Sequence, residues 1–424
     1  MDREPLDVVI VGGSLAGLWT AIAIKAVPHV RSITILERLN KHGLQDLGAG
    51  IRCSPEPIEV YKDLLGLAPA KYASCMNYFR MLNQAGEFAY GIPVKGWTTT
   101  WGQLYRIYRE SIDHDPKCVY RLECTVTDVK EVDAAHMEVE FSNEENKTEQ
   151  ISAHLVVGAD GASSALRSLM LPNIKRTTAG YVLYRGVVPK SMLSSEALDV
   201  YDDAATFSLP AQTGQFASYT VPGNEAPADE AISCVNWGLY HNVTEQEAQQ
   251  LLTDREGKSH RFTLPPKGMR SEEIDKLRRL ARGVLPAMHV EIIEKTEDPF
   301  VQVITDSFST SNSFFNGKVL LVGDAVGGQR PHPAASIMQN TQHGLLLRML
   351  LEGSIDLKTW EQNTYKFSEA LVKAGRDLGQ KLMVERGQPQ DKLGPYMRMF
   401  ASKQRELSEI WKETVKVYGP NGNI

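Results

Sequence analysis

A glycine-rich turn near the start of the chain, in the stretch VVIVGGSLAGLWTAIAI, constrains the fold most. β-Branched residues pass through glycines into an alanine-rich segment, which is the pattern of a strand, a tight turn and a helix. Gly12 permits the turn, Gly17 lets the helix pack on the strand, and Ser14 is small enough for backbone amides to approach a pyrophosphate. Glu37 lies at the end of the second predicted strand, where a carboxylate can accept hydrogen bonds from ribose hydroxyls. The pattern predicts dinucleotide binding and leaves FAD and NAD as alternatives.

Two later segments favour FAD. In LVVGADGASSALR, Asp160 and Gly161 follow an apolar strand, and in KVLLVGDAVGGQRPHPAASIM, Gly323 and Asp324 follow another. A carboxylate at the carboxyl end of a strand can reach a ribose or ribityl hydroxyl, and the next helix N-terminus offers amides to a phosphate or an electron-rich ring. A nicotinamide dehydrogenase would share the opening turn but would not require the segment at Asp324.

In this order and spacing the three motifs resemble those of the flavoprotein monooxygenases of the aromatic hydroxylase group, the class A or p-hydroxybenzoate hydroxylase-like enzymes. Within that group, VGGSLAGL, AGYVLYRGVVP, NWGLYHNV and RPHPAAS are similar to the 2,6-dihydroxypyridine 3-hydroxylase branch, whose pattern includes the serine of the opening turn. The resemblance implies an α/β fold with a discontinuous, Rossmann-like FAD-binding domain, an antiparallel-sheet substrate domain and a helical C-terminal segment.

The domain boundaries follow from where the motifs lie. We expect the FAD-binding domain at residues 1–75, 102–180 and 296–350, the substrate domain at 76–101 and 181–295, and the C-terminal helices at 351–424. The substrate segments alternate apolar and aromatic residues between Gly and Pro turns, which is typical of an antiparallel sheet. The apolar residues after position 353 recur at helical spacing, which predicts core packing or a subunit contact in a homodimer.

The resemblance also implies the cofactor chemistry. It implies non-covalent FAD, with NADH or NADPH as a transient reductant, and hydroxylation of a phenol-like aromatic or N-heteroaromatic molecule with O2 through a flavin C4a-hydroperoxide. The protein then supplies position, dryness and charge control, and no metal is required. The expected FAD contacts are Gly12, Gly13, Ser14, Ala16, Gly17, Glu37, Arg38, Arg52, Val126, Asp160, Gly161, Gly323, Asp324, Ala334 and Ala335.

The candidate catalytic residues follow from the substrate chemistry. A phenolic ring is a better nucleophile as phenolate, so a base or a strong hydrogen-bond partner is expected beside the substrate hydroxyl. His332, in the proline-bearing loop expected to face the flavin, either takes that role or braces the loop. Tyr184 is the second catalytic candidate. The expected substrate contacts are Arg185, Asn236, Tyr240, His241 and Pro331.

Composition narrows the classes of partner. The net charge of −6, without a basic stripe, gives no electrostatic support for a nucleic-acid or anionic-membrane partner. Five cysteines, never spaced as Cys-x-x-Cys, argue against a disulfide framework or a zinc site. We expect a cytoplasmic location, because the first strand begins almost at residue 1 and no apolar run reaches membrane-spanning length.

Two other functions would keep every motif. One is a flavin-dependent tailoring enzyme that epoxidises, cyclises or performs Baeyer–Villiger oxidation of a secondary metabolite, and the other is a flavin-binding protein without catalysis. Product analysis separates the first from a hydroxylase. Nicotinamide oxidation that no aromatic ligand stimulates would identify the second.

Overall fold

The structure is a computed structural model that describes residues 4–41, 43–44, 49–201, 204–210, 214–223, 233–384 and 389–415. Its strands, numbered along the chain, are β1 (Leu6–Val11), β2 (Val30–Leu36), β3 (Gly50–Cys53), β4 (Ser74–Leu82), β5 (Phe88–Thr100), β6 (Cys118–Arg121), β7 (Thr125–Glu131), β8 (Met137–Ser142), β9 (Thr148–Ala153), β10 (Leu155–Gly158), β11 (Thr177–Pro189), β12 (Ala204–Ser208), β13 (Gln215–Val221), β14 (Cys234–Asn242), β15 (Thr263–Leu264), β16 (Phe300–Phe308), β17 (Ser313–Phe314), β18 (Val319–Leu321) and β19 (Gly327–Gly328).

The α-helices are α1 (Leu15–Ile24), α2 (Pro55–Leu65), α3 (Trp101–Asp113), α4 (Ala165–Met170), α5 (Ser195–Tyr201), α6 (Glu245–Leu251), α7 (Ser271–Val284), α8 (Ala287–Lys295), α9 (Ser336–Glu352), α10 (Leu357–Gly379) and α11 (Pro389–Val415). Short 3₁₀ turns lie at Pro69–Lys71, Lys190–Met192, Phe315–Gly317 and Gly323–Ala325, and a π-helical turn at Gln380–Val384. Within the described ranges, no helix is long and apolar enough to cross a bilayer.

A parallel sheet carries the three glycine and aspartate motifs. Its strand order is β17–β18–β10–β1–β2–β6, and its pairs are parallel except β17 with β18. Helices α1, α3 and α9 cover one face, and the small sheet β7–β8–β9 packs on the other. Burial on both faces explains why β1 and β10 are almost unbroken apolar runs.

The strand order brings the three motifs to one edge. Strands β18, β10, β1 and β2 are neighbours, and Leu321, Gly158, Val11 and Leu36, near their carboxyl ends, lie in register. The loops that follow these residues therefore meet, although Val11 and Leu321 are 310 residues apart in the chain. Ligands of such sheets bind outside the carboxyl ends of the strands.

A second, larger sheet has the order β15–β16–β11–β14–β13–β12–β4–β5–β3, with β19 paired to β16. Its pairs are antiparallel except β12 with β4. The predicted α/β architecture with an antiparallel sheet and C-terminal helices is confirmed. Strands β3 and β16 pair within this sheet, although the expected boundaries assign them to the FAD-binding part. The boundaries themselves stay a prediction.

The two faces of the larger sheet have different neighbours. One face packs on helices α5 to α8, and its core contains Val182, Tyr184 and Trp237. The opposite face packs on α10 and α11, with Leu183 and Tyr240 in contact with that second core. Side chains of a strand alternate between faces, so neighbouring residues of β11 enter different cores.

Candidate active site

Two cavities adjoin where the parallel sheet meets the larger sheet. The first encloses about 540 Å³ and the second about 470 Å³. Ala49, Ile51, Trp101, Asp324 and Ser336 line both, so the two spaces share a boundary. A molecule in the first cavity can therefore present one end to the second.

The glycine turn forms one wall of the first cavity. Gly12 has a φ of +105°, and a Cβ atom added there would lie 2.6 Å from the carbonyl oxygen of Ala159. At Gly17 an added Cβ would lie 1.8 Å from the carbonyl oxygen of Gly12, and at Gly13 it would lie 2.4 Å from the hydroxyl of Tyr120. Each glycine is thus required by the close approach of strand, turn and helix.

Glu37 lies beside this turn and is 5% exposed. Its Oε2 accepts a hydrogen bond from the backbone N–H of Gly13 at 2.8 Å, and its Oε1 accepts one from Leu39 at 2.9 Å. The two bonds hold the carboxylate at the cavity wall. Each carboxylate oxygen has a further lone pair, so Glu37 can still accept hydrogen bonds from ribose hydroxyls.

Asp160 follows β10 and caps the short helix α4. Its Oδ2 accepts hydrogen bonds from the N–H groups of Ala165 at 2.6 Å and Leu166 at 3.1 Å. Its Oδ1 is buried without a hydrogen-bond partner in the described part of the chain. Burial raises the pKa of this carboxyl group. An unpartnered buried oxygen at a cavity wall is suited to accept a ligand hydroxyl.

Asp324 lies at the boundary between the two cavities. Burial raises its pKa to about 6, and the Arg176 and Arg167 guanidinium groups oppose that shift only in part. The preceding Gly323 has a φ of +59°, and its N–H donates to Nδ1 of His343 at 2.9 Å. A left-handed turn anchored on a buried histidine therefore presents this carboxylate.

Most expected FAD contacts surround the first cavity. The residues that line it are Gly12, Ser14, Ala16, Glu37, Arg38, Val126, Asp160, Gly161 and Asp324. Gly13, Gly17 and Gly323 shape the backbone beside it. The glycine cradle and the unpartnered oxygen of Asp160 fit the ribose, ribityl and pyrophosphate groups of FAD.

Three other expected FAD contacts lie outside the first cavity, and their contact with FAD stays a prediction. Arg52, Ala334 and Ala335 line the second cavity and not the first. The reason for Arg52 is that β3 pairs with β5 at the edge of the larger sheet. The alanines belong to the loop before α9, in which Ala334 has a φ of +49°, an uncommon conformation for a residue with a side chain.

Five of the expected substrate-site residues do line the second cavity. These residues are Arg185, Asn236, Tyr240, Pro331 and His332. Asn236 and Tyr240 are four residues apart on β14, and Arg185 lies opposite Gly238 on the neighbouring strand β11. Positions separated by two or four residues share a face of a strand, which explains why these side chains converge.

Tyr184 and His241, expected at the substrate site, do not line the second cavity. Tyr184 packs in the core under helices α5 to α8, on the face opposite to the cavity. His241 pairs across the strands with Val182, which belongs to the same core. Consecutive side chains of a strand point to opposite faces, so Tyr184 and Arg185 cannot both line one cavity.

His332 is buried and held from two sides. Its Nε2 lies 2.9 Å from the hydroxyl of Tyr181, and the ring of Tyr240 stacks on it with centroids 4.5 Å apart. Burial lowers the pKa of His332 to about 3, and the Arg330 guanidinium acts in the same direction. Its Nδ1 is buried with no hydrogen-bond partner among the described residues. The imidazole is therefore neutral, with one ring nitrogen left to bind a ligand.

Several cavity residues escape prediction from the sequence. Asn340 lines the first cavity, and Gln215, Gln302, Gln329 and Phe400 line the second. Glutamines on a strand or loop carry no motif, and Phe400 belongs to the amphipathic helix α11, whose pattern indicates only packing. Trp101 lines both cavities and donates its indole N–H to the Ser14 hydroxyl at 3.1 Å.

Together, the parallel sheet and the larger sheet form an α/β architecture in which a cavity with a dinucleotide-type glycine cradle opens onto a second cavity. Residues 178–306 match the FAD binding domain-like family. The predicted similarity to the aromatic hydroxylases and to their 2,6-dihydroxypyridine 3-hydroxylase branch is confirmed by the relatives that follow.

The chain is 25% identical over 390 residues to the 2,6-dihydroxypyridine 3-monooxygenase of Paenarthrobacter nicotinovorans, covering 88% of this chain and 91% of the relative. A solved structure of 2,6-dihydroxypyridine-3-hydroxylase from Arthrobacter nicotinovorans matches with a TM-score of 0.81 and 22% identity, covering 92% of this chain and 96% of that one. Klebsiella pneumoniae HpxO, solved with FAD and uric acid, matches with a TM-score of 0.69 and 17% identity, covering 97% of each chain.

Proposed function

We propose that this chain is an FAD-dependent monooxygenase that uses NAD(P)H and O2 to hydroxylate a small aromatic or N-heteroaromatic, phenol-like molecule. The observation that carries the proposal is the junction of the two cavities at Trp101, Asp324 and Ser336. The first cavity has the cradle that a dinucleotide requires, and the second has the volume of a small ring binding site. The relatives are named as a monooxygenase and a hydroxylase, which supports the same reaction here.

The residues of the first cavity bind and orient the cofactor. When bound, FAD supplies the redox chemistry that activates O2. The glycine turn and the α1 N-terminus would bind the pyrophosphate. The carboxylates of Glu37, Asp160 and Asp324 would accept hydrogen bonds from the ribose and ribityl hydroxyls. These interactions fix the end of the cofactor that meets the second cavity.

The residues of the second cavity hold the ring and exclude water. We assign His332 a hydrogen bond to the ring oxygen, because its pKa of about 3 makes it a weak base near neutral pH. Tyr181 fixes the orientation of the imidazole through Nε2. Arg185, Asn236, Tyr240 and Pro331 complete the proposed ring site. A cytoplasmic location and a homodimer stay predictions.

The test is oxygen incorporation by the purified, FAD-loaded protein. Hydroxypyridines, hydroxybenzoates and urate are screened for stimulated oxidation of NADH and NADPH, with hydrogen peroxide release measured in parallel. A ring product containing one atom from labelled O2 is expected. A colourless protein that takes up no added FAD would refute the cofactor assignment. Stimulation by none of the rings would support the non-catalytic alternative, and a product that is not ring-hydroxylated would support a tailoring reaction.

A further inference from the structure

Two arginines that line the second cavity, Arg52 and Arg185, are not paired with a carboxylate of the described residues, whereas nearby charged groups are. Asp306, for example, accepts hydrogen bonds from both Arg330, at 2.7 Å, and Arg376, at 2.6 Å. Arg52 and Arg185 have no carboxylate within salt-bridge distance in the described segments. Nη1 of Arg52 donates to an amide oxygen, that of Gln404, at 2.7 Å, and Nη2 of Arg185 donates to a backbone carbonyl at 3.1 Å.

Strand β3 places both guanidinium groups at the cavity, because Arg52 belongs to β3 and Arg185 of β11 donates to its backbone. The carbonyl that Arg185 binds belongs to Gly50, two residues before Arg52 on β3. A Cβ atom added at Gly50 would lie 2.5 Å from Oδ1 of Asn236, a residue of the cavity wall. Side chains two residues apart share a face, so Arg52 projects to the same wall.

Gln404 keeps Arg52 in place without neutralising it. Its amide nitrogen donates to the carbonyl oxygen of Pro333 at 2.8 Å, so the side chain connects Arg52 to the loop that carries His332. Phe400, one turn earlier on α11, lines the cavity and packs on Phe79 with ring centroids 5.4 Å apart. Helix α11 therefore forms one wall of the second cavity, and a neutral amide faces the cation there.

Little negative charge balances these arginines. Asp324 is the one acidic residue among the described residues that line the second cavity, and it lies at the boundary with the first. Burial lowers the pKa of Arg52 to about 10, and Glu56 opposes this shift only in part. Both arginines are half-buried, and a half-buried cation without a paired carboxylate favours binding of an anionic ligand.

We propose that Arg52 and Arg185 form an anion-binding corner that selects ring substrates carrying a carboxylate or an ionised hydroxyl, with Gln404 of α11 as the positioning residue for Arg52. This inference rests on the proposed function only in taking the second cavity as the substrate site. Where the selected anion is an ionised hydroxyl, the bound ring has already lost its proton and leaves His332 with no proton to remove.

The experiment measures ligand affinity on the FAD-loaded protein from changes in flavin absorbance. Two probe pairs differ in charge: 3-hydroxybenzoate with 3-hydroxybenzamide, and ionised 4-nitrophenol with 4-nitroanisole. The wild type should prefer the anion of at least one pair by about tenfold to a hundredfold, the range for a charge-assisted hydrogen bond. Preference in the first pair identifies a carboxylate as the ligand, and preference in the second identifies an ionised hydroxyl.

Three variants should abolish the preference while the neutral probes bind as before. Arg52→Gln and Arg185→Gln remove a cation, and Gln404→Glu pairs Arg52 with a carboxylate of nearly the same shape. Arg279→Gln and Gln249→Glu, at exposed positions, are the matched controls and should keep the preference.

Three results would overturn the inference. One is a wild type that binds no anionic probe more tightly than its neutral partner. Another is a variant that loses both members of a pair equally. The third is loss of FAD from Arg52→Gln, because the arginine would then hold the cofactor. Hydroxylation of a neutral ring without anion preference would refute the corner and leave the proposed monooxygenase standing.

Discussion

The neutral state of His332 should make the folded protein less stable as the pH falls. Burial and Arg330 lower its folded pKa to about 3, from an ordinary value of 6.5. Above about pH 6.5 neither state binds the proton, and below it only the unfolded chain does, until the pH approaches 3. The stability that depends on neutral His332 is therefore complete above about pH 6.5 and is lost progressively as the pH falls towards 3.

The size of the effect follows from the shift. Between about pH 7.5 and about pH 5.5 the unfolded histidine gains most of one proton, which costs the folded state about 1.4 kcal/mol. His332→Asn cannot bind this proton, so its free energy of unfolding should fall by about 1.4 kcal/mol less than that of the wild type over this range. Urea unfolding of the FAD-loaded proteins at the two pH values measures the difference. Exposed His114→Asn is the control.

The same variant tests the catalytic role. If His332 donates or accepts one hydrogen bond, His332→Asn with FAD retained should lower hydroxylation about tenfold, and more peroxide should be released per product. A general base would contribute about 10²–10⁴. An equal pH dependence of stability in variant and wild type would show that folded His332 takes up a proton, and the hydrogen-bonding role would then be refuted.

Three further substitutions test the fold and the site. Gly17→Ala should abolish FAD binding and folding stability, because its Cβ would lie 1.8 Å from a carbonyl oxygen, whereas Gly283→Ala, with nothing within 4 Å, should be tolerated; FAD retention and melting temperature decide. Asp324→Asn should stabilise the FAD-free protein near neutral pH by up to about 3 kcal/mol, since a pKa raised from 3.8 to about 6 means that stability present below 3.8 is lost as the pH rises through 6. It should also weaken FAD binding at least tenfold, as measured by titration. Tyr184→Phe should leave the dissociation constant of the ring ligand unchanged, because Tyr184 packs away from the cavity. A changed dissociation constant would show that Tyr184 contacts the ligand.

Local backbone requirements made the FAD cavity predictable. Gly12 needs a positive φ and Gly17 must contact the turn. Only glycine meets these requirements, so the contacts are visible in the sequence as glycines. Asp160 and Asp324 lie two and three residues after the apolar strands β10 and β18, and the carboxyl ends of neighbouring parallel strands meet at one edge. A short stretch of sequence is enough to see each of these features.

Only the tertiary structure decided the second cavity. Whether Tyr184 or Arg185 of β11 faces it depends on which layer covers each side of the sheet, and a shift of one residue exchanges the faces. The contact of Gln404 with Arg52 joins positions 352 residues apart, with no local pattern to announce it. The pKa of His332 depends on burial by several distant segments, because desolvation is a property of the assembled interior and not of the residues next to it in the chain.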